Sequence, residues 1–346
     1  MYSIIIPCYN SAYTIAEVVR DTAYEMNLLE RTPFEFILVD DNSPDSGETL
    51  CELRALADEF DFVKVVELAK NTGQHNATMA GLNYASGDVF ISMDDDGQTR
   101  ASELRELFAR FDMGYDVVFG YYEDKKHSGF RNFGSWLNYQ TVRAMIGKPK
   151  SMKTSSFWVV RKYVRDNIIE YTSPFTHLQG LFLRTVSPDK ISSVCVEHYE
   201  RLHGKSNYTL KKLVALWSNI LGFSTLPLKF AQKIGAVLSA IGIIGAIVVF
   251  INKLIHPSVA VGWSSLMVAL FFFSGMIIFF LGIIGEYIGR LFLNINKTPQ
   301  YVVREVYNGT SEKKYEFTDN ANGRRKKKID NEIVSPWGGN LPGSAN

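Results

Sequence analysis

Short apolar runs alternate with helix-patterned segments in the amino-terminal part of the chain, and this alternation limits the possible folds more than any other feature. The apolar runs lie at residues 2–7, 34–40, 62–68, 88–94 and 115–122. The segments with helical spacing lie at residues 11–26, 46–60, 73–85 and 102–111. Strands that alternate with helices form βαβ units, so we predict an α/β domain built on a mostly parallel sheet. The pattern also predicts a helix at 130–147 and strands near 155–162 and 191–198.

Three of the predicted strands end in polar clusters. The first ends in PCYN, the second in DDNSPD and the fourth in MDDDGQ. Ligands of such sheets bind outside the carboxyl ends of the strands, so we expect the three clusters to converge on one edge. Neighbouring carboxylates repel one another, and a bound cation or a ligand rich in phosphate would explain why they are grouped.

The run of aspartates predicts a metal site. On a strand exit, Asp94 and Asp96 can point the same way while Asp95 points elsewhere. With the carbonyl oxygen of Gln98 they would form part of the shell of Mg²⁺ or Mn²⁺, which substrate phosphates would complete. The alternative is a capped, solvated loop, which an isolated Asp-x-Asp pattern also fits. The second acidic strand end favours the metal site.

Two other classes of nucleotide-binding protein are disfavoured by missing glycine motifs. No GxGxxG follows the first predicted strand, and GxxxxGK[ST] does not occur in the sequence. These glycine patterns are the ones that cradle phosphates in dinucleotide oxidoreductases and P-loop ATPases. A nucleotide held through a metal and acidic strand ends remains the better prediction.

Two long apolar runs predict a membrane anchor. Residues 234–251 and 259–284 contain no charged side chain, and each is close to the roughly 20 residues that cross a bilayer core. Lys and Arg are concentrated outside the pair rather than in the link between the runs, which predicts cytoplasmic termini. The amphipathic segment 209–229 is predicted to lie at the membrane interface, or alternatively to be a buried packing helix.

These patterns divide the chain into five predicted regions. They are a cytosolic catalytic domain (1–208), an interfacial helix region (209–230), a two-span transmembrane hairpin (231–290), a cytosolic segment (291–308) and a disordered tail (309–346). The tail holds the basic run RRKKK, for which contact with anionic lipid and simple solvation are equally good interpretations. The expected location is the inner or plasma membrane, with the catalytic domain in the cytoplasm.

Charge and cysteine content exclude some partners and sites. The chain has 37 basic and 36 acidic residues and a formal net charge of +1, which does not suggest a nucleic-acid partner. Its three cysteines are widely separated and lack CxxC spacing. This pattern fits a reduced cytosolic compartment and argues against a disulfide framework or a zinc site.

Several motifs, taken together and in order, resemble one enzyme family. They are IIIPCYN (4–10), VDDNSPD (39–45), NTGQHNATMAGLNYASGD (71–88), MDDDGQ (93–98), RLHGKSNY (201–208) and GIIGEYIGRLFLNINKTPQYVVRE (282–305). The chain resembles family-2 inverting glycosyltransferases of the GT-A fold, which has a Rossmann-like sheet. Within them it is similar to the polyprenyl-phosphate glycosyltransferases, among them dolichol-phosphate mannose synthase and its undecaprenyl-phosphate relatives.

The resemblance implies roles for individual residues. Asp40 would read the base, which is expected to be uracil, with Asp41 close by. The family usually has Asp-Ala-Asp-Leu-Gln where this chain has Asp95 and Gly97 in place of Ala and Leu. The other implied nucleotide or acceptor contacts are Pro7, Tyr9, Asn10, Asp95 and Ser206. The implied metal ligands are Asp94, Asp96 and Gln98, and the implied catalytic residues are Asp96, Arg131, Arg201 and Lys205.

The implied reaction transfers a sugar from a nucleotide-sugar, expected to be a UDP-sugar, to undecaprenyl phosphate, using Mg²⁺ or Mn²⁺. The nucleophile is an anionic phosphate oxygen, so no strong general base is needed. The implied partners are the donor, the polyprenyl phosphate lipid, the membrane and further copies of the chain, up to a tetramer. One alternative is a processive polysaccharide synthase, but Gln140 and Arg143 are followed by Ala144 rather than Trp. The other is a catalytically silent nucleotide-sugar-binding protein.

Overall fold

The computed structural model describes residues 1–122, 143, 149, 152–197, 199, 226–255 and 262–309. The strands are β1 (Tyr2–Cys8), β2 (Phe34–Asp40), β3 (Val63–Leu68), β4 (Val89–Ser92), β5 (Val117–Tyr122), β6 (Trp158–Arg161), β7 (Ile191–Val196) and β8 (Val303–Tyr307). The helices are α1 (Ile15–Leu28), α2 (Glu48–Glu59), α3 (Gln74–Tyr84), α4 (Leu104–Phe111), α5 (Lys162–Ile168), α6 (Leu178–Thr185), α7 (Leu226–Ile255) and α8 (Trp263–Ile295).

The described strands form one sheet in the order β7-β5-β6-β4-β1-β2-β3-β8. The pairs β4–β1, β1–β2, β2–β3 and β5–β7 are parallel. Strand β6 runs antiparallel to both of its neighbours, and β8 runs antiparallel to β3. The predicted α/β class with a mostly parallel sheet is therefore confirmed.

The central strands are apolar on both faces because helices cover both sides of the sheet. In β1, Ile4 and Ile6 belong to one core cluster and Ile5 to the other, and all three are fully buried. Helix α3 approaches the second face closely at Gly81, where a Cβ atom would lie 2.4 Å from Ile5 Cγ2. Since a larger side chain would clash there, Gly81 fixes the distance between α3 and the sheet.

Two long helices, α7 and α8, lie between β7 and β8 in the chain and contact each other. The predicted apolar runs, 234–251 and 259–284, fall mainly within α7 and α8. Among the described residues, the stretch Phe272–Ile295 of α8 is long and apolar enough to cross a membrane. The two-span hairpin stays a prediction, as do the cytoplasmic termini.

Strand β8 was not predicted. The sequence interpretation placed residues 291–308 in a separate cytosolic segment, whereas the structure pairs part of that segment with the edge strand β3. Ion pairs support the pairing: Arg304 Nη1 lies 2.7 Å from Glu67 Oε1, and Arg54 Nη2 lies 2.7 Å from Glu305 Oε2. The chain therefore returns from the end of α8 to the edge of the sheet. The predicted helix at 130–147 and the tail beyond 309 fall outside the described residues, apart from Arg143, and so does most of the interfacial segment.

Candidate active site

A cleft of about 780 Å³ opens at the carboxyl edge of the sheet. The ends of β1, β2, β4 and β5 and the loop after β3 contribute to its wall. The expected convergence of the three polar clusters is confirmed. The lining residues are Pro7, Cys8, Tyr9, Asp41, Asn71, Gly73, Gln74, Asp94, Asp95, Asp96, Gln98 and Tyr122.

Both carboxylate oxygens of Asp94 are held by hydrogen bonds. Gln74 Nε2, at the start of α3, donates to Oδ1 at 2.6 Å. Ser156 Oγ, just before β6, donates to Oδ2 at 2.5 Å. The start of α3 and the segment before β6 therefore orient a single carboxylate at the cleft.

Asp95 connects the loop that follows β4 to the loop between β1 and α1 through hydrogen bonds. Its Oδ2 accepts a hydrogen bond from Tyr9 N at 2.9 Å, and its carbonyl oxygen accepts one from Thr14 Oγ1 at 2.6 Å. Burial is the main reason that the pKa of Asp95 is raised to about 6, and the neighbouring Asp94 and Asp96 carboxylates contribute to this increase. Asp95 lines the cleft, but its carboxylate is engaged by the protein backbone.

Asp96 and Gln98 form the turn that ends the acidic run. Gln98 N donates to Asp96 Oδ1 at 3.1 Å, and Gly97 has a φ of +69°, a conformation that favours glycine. Gln98 is also paired with Tyr199: Tyr199 N donates to Gln98 O at 3.0 Å and Gln98 Nε2 donates to Tyr199 O at 3.4 Å. The turn is thus joined to the segment that follows β7.

The second acidic cluster is arranged differently from the first. Asp40 is buried, and its Oδ1 accepts hydrogen bonds from the amide and the hydroxyl of Ser43 at 3.2 and 2.6 Å. The same hydroxyl accepts a hydrogen bond from Asn10 N at 3.1 Å. Burial raises the pKa of Asp40. Asp40 therefore shapes the wall behind the cleft, and its contact with a base stays a prediction.

Asp41 fixes the loop that leads into α3. Its two oxygens accept hydrogen bonds from Thr72 N at 2.7 Å and Gly73 N at 2.8 Å. Burial raises the pKa of this carboxyl, while the hydrogen bonds from Thr72 lower it. The loop carries Asn71, Gly73 and Gln74 to the cleft, and the amino end of an α-helix attracts phosphate.

Comparison with known proteins decides the family. The profile described as "Glycosyl transferase family 2" matches residues 3–169, and the profile described as "GtrB C-terminal hairpin" matches residues 226–291. The undecaprenyl-phosphate 4-deoxy-4-formamido-L-arabinose transferase of Proteus mirabilis is 30% identical over 310 residues, which are 88% of this chain and 93% of that protein. The chain belongs to glycosyl transferase family 2. The predicted resemblance is confirmed.

Further similar proteins extend the comparison. The transferase of the same name from Pseudomonas fluorescens is 30% identical over 88% of this chain and 89% of its own length. Among solved structures, glucosyl-3-phosphoglycerate synthase from Mycobacterium tuberculosis is 18% identical, with a TM-score of 0.47 over 65% of this chain and 80% of that one.

The predicted site residues of this family-2 chain fall into two groups. The structure brings together at the cleft, or directly behind it, the predicted residues of the first 98 positions. They are Pro7, Tyr9, Asn10, Asp40, Asp41, Asp94, Asp95, Asp96 and Gln98. The predicted residues Arg131, Arg201, Lys205 and Ser206 lie outside the described residues.

Several cleft residues were not predicted as site residues. Gln74 and Gly73 lie in a motif that carried the family resemblance, but sequence patterns assigned them no role. Tyr122 ends β5 at the same edge, and its hydroxyl forms a hydrogen bond with that of Thr99. Burial raises the pKa of Tyr122 to about 12, so it is a neutral hydroxyl at physiological pH. The sequence feature that could have identified Tyr122 as a cleft residue is its position at the end of a predicted strand.

The donor set at the cleft fits a hard divalent cation that is shared with a substrate. The described residues contain no group of three or more His, Cys, Asp or Glu side chains placed to hold a metal by themselves. Asp94 and Asp96 instead offer two carboxylates at the cleft. Mg²⁺ is commonly held by one or two carboxylates together with waters and substrate phosphates, and this small oxygen-only set fits that requirement.

Proposed function

We propose that this family-2 enzyme transfers a sugar from a UDP-sugar to undecaprenyl phosphate at the cytosolic face of the membrane, with inversion at the anomeric carbon. The observation that carries the proposal is the placement of Asp94 and Asp96 beside the amino end of α3, in a cleft large enough for a nucleotide-sugar. The names of the relatives, which are undecaprenyl-phosphate sugar transferases, support the choice of acceptor.

The donor diphosphate is proposed to lie between the turn at residues 94–98 and the start of α3. Asp94, Asp96 and Gln98 would hold Mg²⁺ or Mn²⁺, which neutralises the charge on the leaving diphosphate when it is bound. The fixed orientation of Asp94 by Gln74 and Ser156 keeps one of these carboxylates in place before substrate arrives. Arg131 is proposed to add positive charge near the phosphates.

The acceptor is proposed to enter from the side of β7. Tyr199 is hydrogen-bonded to Gln98, so the chain that continues into the predicted acceptor loop starts beside the donor site. In that loop Arg201, Lys205 and Ser206 are proposed to bind the lipid phosphate through charge-assisted hydrogen bonds.

The reaction balances without a general base. The lipid phosphate oxygen is already anionic, and it attacks the anomeric carbon from the side opposite the diphosphate. A carbon–oxygen bond to the lipid phosphate forms while the bond to the diphosphate breaks, and the leaving group keeps the electron pair.

The carboxyl-terminal helices are proposed to anchor this chemistry at the membrane. Helix α8 contains a stretch long and apolar enough to span, and α7 is proposed to complete a hairpin with both ends in the cytoplasm. Assembly into a homo-oligomer, up to a tetramer, is part of the proposal.

The test uses the full chain in nanodiscs with undecaprenyl phosphate and Mn²⁺ or Mg²⁺. Radiolabelled UDP- and GDP-sugars, including the 4-deoxy-4-formamido-L-arabinose donor, are screened for label in the lipid phase, with EDTA as a control. We expect metal-dependent label from a UDP-sugar, loss of transfer in Asp96→Ala, and retention in the matched surface variant Asp61→Ala. Nucleotide binding without transfer from any donor would favour the catalytically silent alternative.

A further inference from the structure

Arg290 is an exception on an otherwise exposed apolar helix. It is 6% exposed, and it is the one buried residue of the stretch Phe272–Ile295, all of which the structure describes. A charged side chain on a membrane-type helix is costly unless it has partners, so such a residue usually has a function. Its guanidinium forms hydrogen bonds with Glu286 Oε1 at 2.8 and 2.9 Å and lies 4.3 Å from the ring centroid of Phe175.

Phe175 belongs to a loop between α5 and α6, residues 171–177, which we name the docking loop. The chain beyond α8 contacts the same loop: Gln300, which is 7% exposed, donates to Ser173 O at 3.2 Å and also to Thr176 Oγ1. The docking loop is thus held at two points by the segment that contains the end of α8.

The docking loop also supports the start of α3. Asn76, which is 8% exposed, donates from Nδ2 to Pro174 O at 3.0 Å and to Thr72 O at 3.0 Å. The rings of His75 and His177 lie with their centroids 5.3 Å apart. The residue before His75 is Gln74, which orients Asp94 in the cleft.

A second connection leaves the loop through α6. His177 caps that helix, since its Nδ1 accepts a hydrogen bond from Gly180 N at 3.0 Å. In the first turn of α6, Gln179 Nε2 donates to Ser155 O at 3.4 Å, and the next residue, Ser156, holds the other oxygen of Asp94. Both supports of the Asp94 carboxylate therefore lead back to the docking loop.

We propose that Arg290 is a positioning residue for the donor site. Its contact with Phe175 keeps the docking loop packed against α3 and α6. This packing in turn keeps the Asp94 carboxylate oriented toward the cleft. Helix α8 and the donor site are far apart in the sequence, but this contact couples their positions. The donor site then has its full set of supporting contacts only while the end of α8 packs against the docking loop. The kinetic part of this inference rests on the proposed function, whereas the structural part does not.

The test compares Arg290→Met, Arg290→Lys and Phe175→Leu with the wild-type chain in nanodiscs. Arg290→Met is expected to raise the KM for the donor sugar by about 2- to 30-fold, the range seen for residues that couple distant sites, with the KM for undecaprenyl phosphate unchanged. Arg290→Lys keeps a cation above the ring and should rescue part of the loss. The donor KM of the double variant Arg290→Met/Phe175→Leu should not exceed that of the more affected single variant, because both substitutions remove the same contact.

Hydrogen–deuterium exchange gives a readout that does not depend on transfer. We expect faster exchange in peptides covering residues 71–79 of Arg290→Met. The matched control is Arg20→Met, which breaks an ion pair of 2.6 Å with Glu59 on a different part of the domain and should change neither measurement. Unchanged exchange in 71–79 would overturn the proposal even if no donor were ever transferred. A lower melting temperature with an unchanged donor KM and unchanged exchange in 71–79 would show a purely structural role and would also overturn it.

Discussion

Removing the Ser156 hydroxyl tests whether the orientation of Asp94 matters for metal use. In the structure, Ser156 Oγ and Gln74 Nε2 each donate to a different oxygen of this carboxylate, at 2.5 and 2.6 Å. The substitution Ser156→Ala removes one donor and leaves the other in place. Since the serine side chain is small and partly exposed, the change should not disturb the packing of β6.

The size of the effect follows from the type of bond. A hydrogen bond to a charged group contributes about 1.5–3 kcal/mol. Groups that orient a metal ligand typically change metal affinity or activity by about 10- to 100-fold when they are removed. We therefore expect the Mn²⁺ concentration for half-maximal transfer to rise by about 10- to 100-fold in Ser156→Ala, because the carboxylate spends less time in the binding orientation.

The assay measures transfer into the lipid phase over a Mn²⁺ titration at saturating donor. Ser86→Ala is the matched control, since Ser86 Oγ also donates to a carboxylate, Glu35, at 2.8 Å, but at the opposite edge of the sheet. Its metal dependence should equal that of the wild type. If Ser156→Ala requires the same Mn²⁺ concentration as the wild type, or less, the idea that Ser156 pre-orients a metal ligand is wrong.

Three further predictions follow from the packing and the titrating groups. Gly81→Ala places a Cβ 2.4 Å from Ile5 Cγ2 and should lower the free energy of unfolding by about 1–3 kcal/mol in denaturant titrations, whereas Gly235→Ala, with open space around it, should not. Burial lowers the pKa of His75 from 6.5 to about 4, so the unfolded state binds more protons between these values and stability should rise with pH across that window. Melting temperatures at pH 4.5 and 7 should differ less in His75→Phe, and an equal difference would contradict the assignment. Asp41→Asn replaces an acceptor of the Gly73 amide and should raise the donor KM, while Asp61→Asn, the surface control, should leave it unchanged.

The fold could be predicted where strands are buried on both faces. The run Ile4-Ile5-Ile6 supplies side chains to both core clusters, and such continuous apolar runs identify the parallel centre of a sheet from sequence alone. Strand β8 could not be found in this way. Its partner β3 lies far away in the sequence, and both long helices, α7 and α8, lie between them, so only the folded chain shows that Arg304 reaches Glu67.

Site residues could be predicted from the sequence where they come directly after a parallel strand. Asp94 and Asp96 come directly after β4, and their position at the carboxyl edge follows from the βαβ pattern. Ser156 comes before its strand and still reaches the same edge, because β6 runs antiparallel to β4. The direction of β6 is set by tertiary pairing, and a serine ahead of a short apolar run carries no distinctive signal. Its role therefore emerged only from the structure.

The middle aspartate explains how three adjacent carboxylates can be accommodated. Asp95 stands where the family usually has alanine, so the proposed metal site does not require its charge. Its carboxylate accepts the amide hydrogen of Tyr9, and its carbonyl oxygen accepts the hydroxyl hydrogen of Thr14, which joins the loops after β4 and β1. Burial raises its pKa to about 6, with a smaller contribution from the two neighbouring carboxylates, so Asp95 loses its charge already in mildly acidic solution. In this run, Asp94 and Asp96 present their carboxylates at the cleft, whereas Asp95 stabilises the contact between two loops.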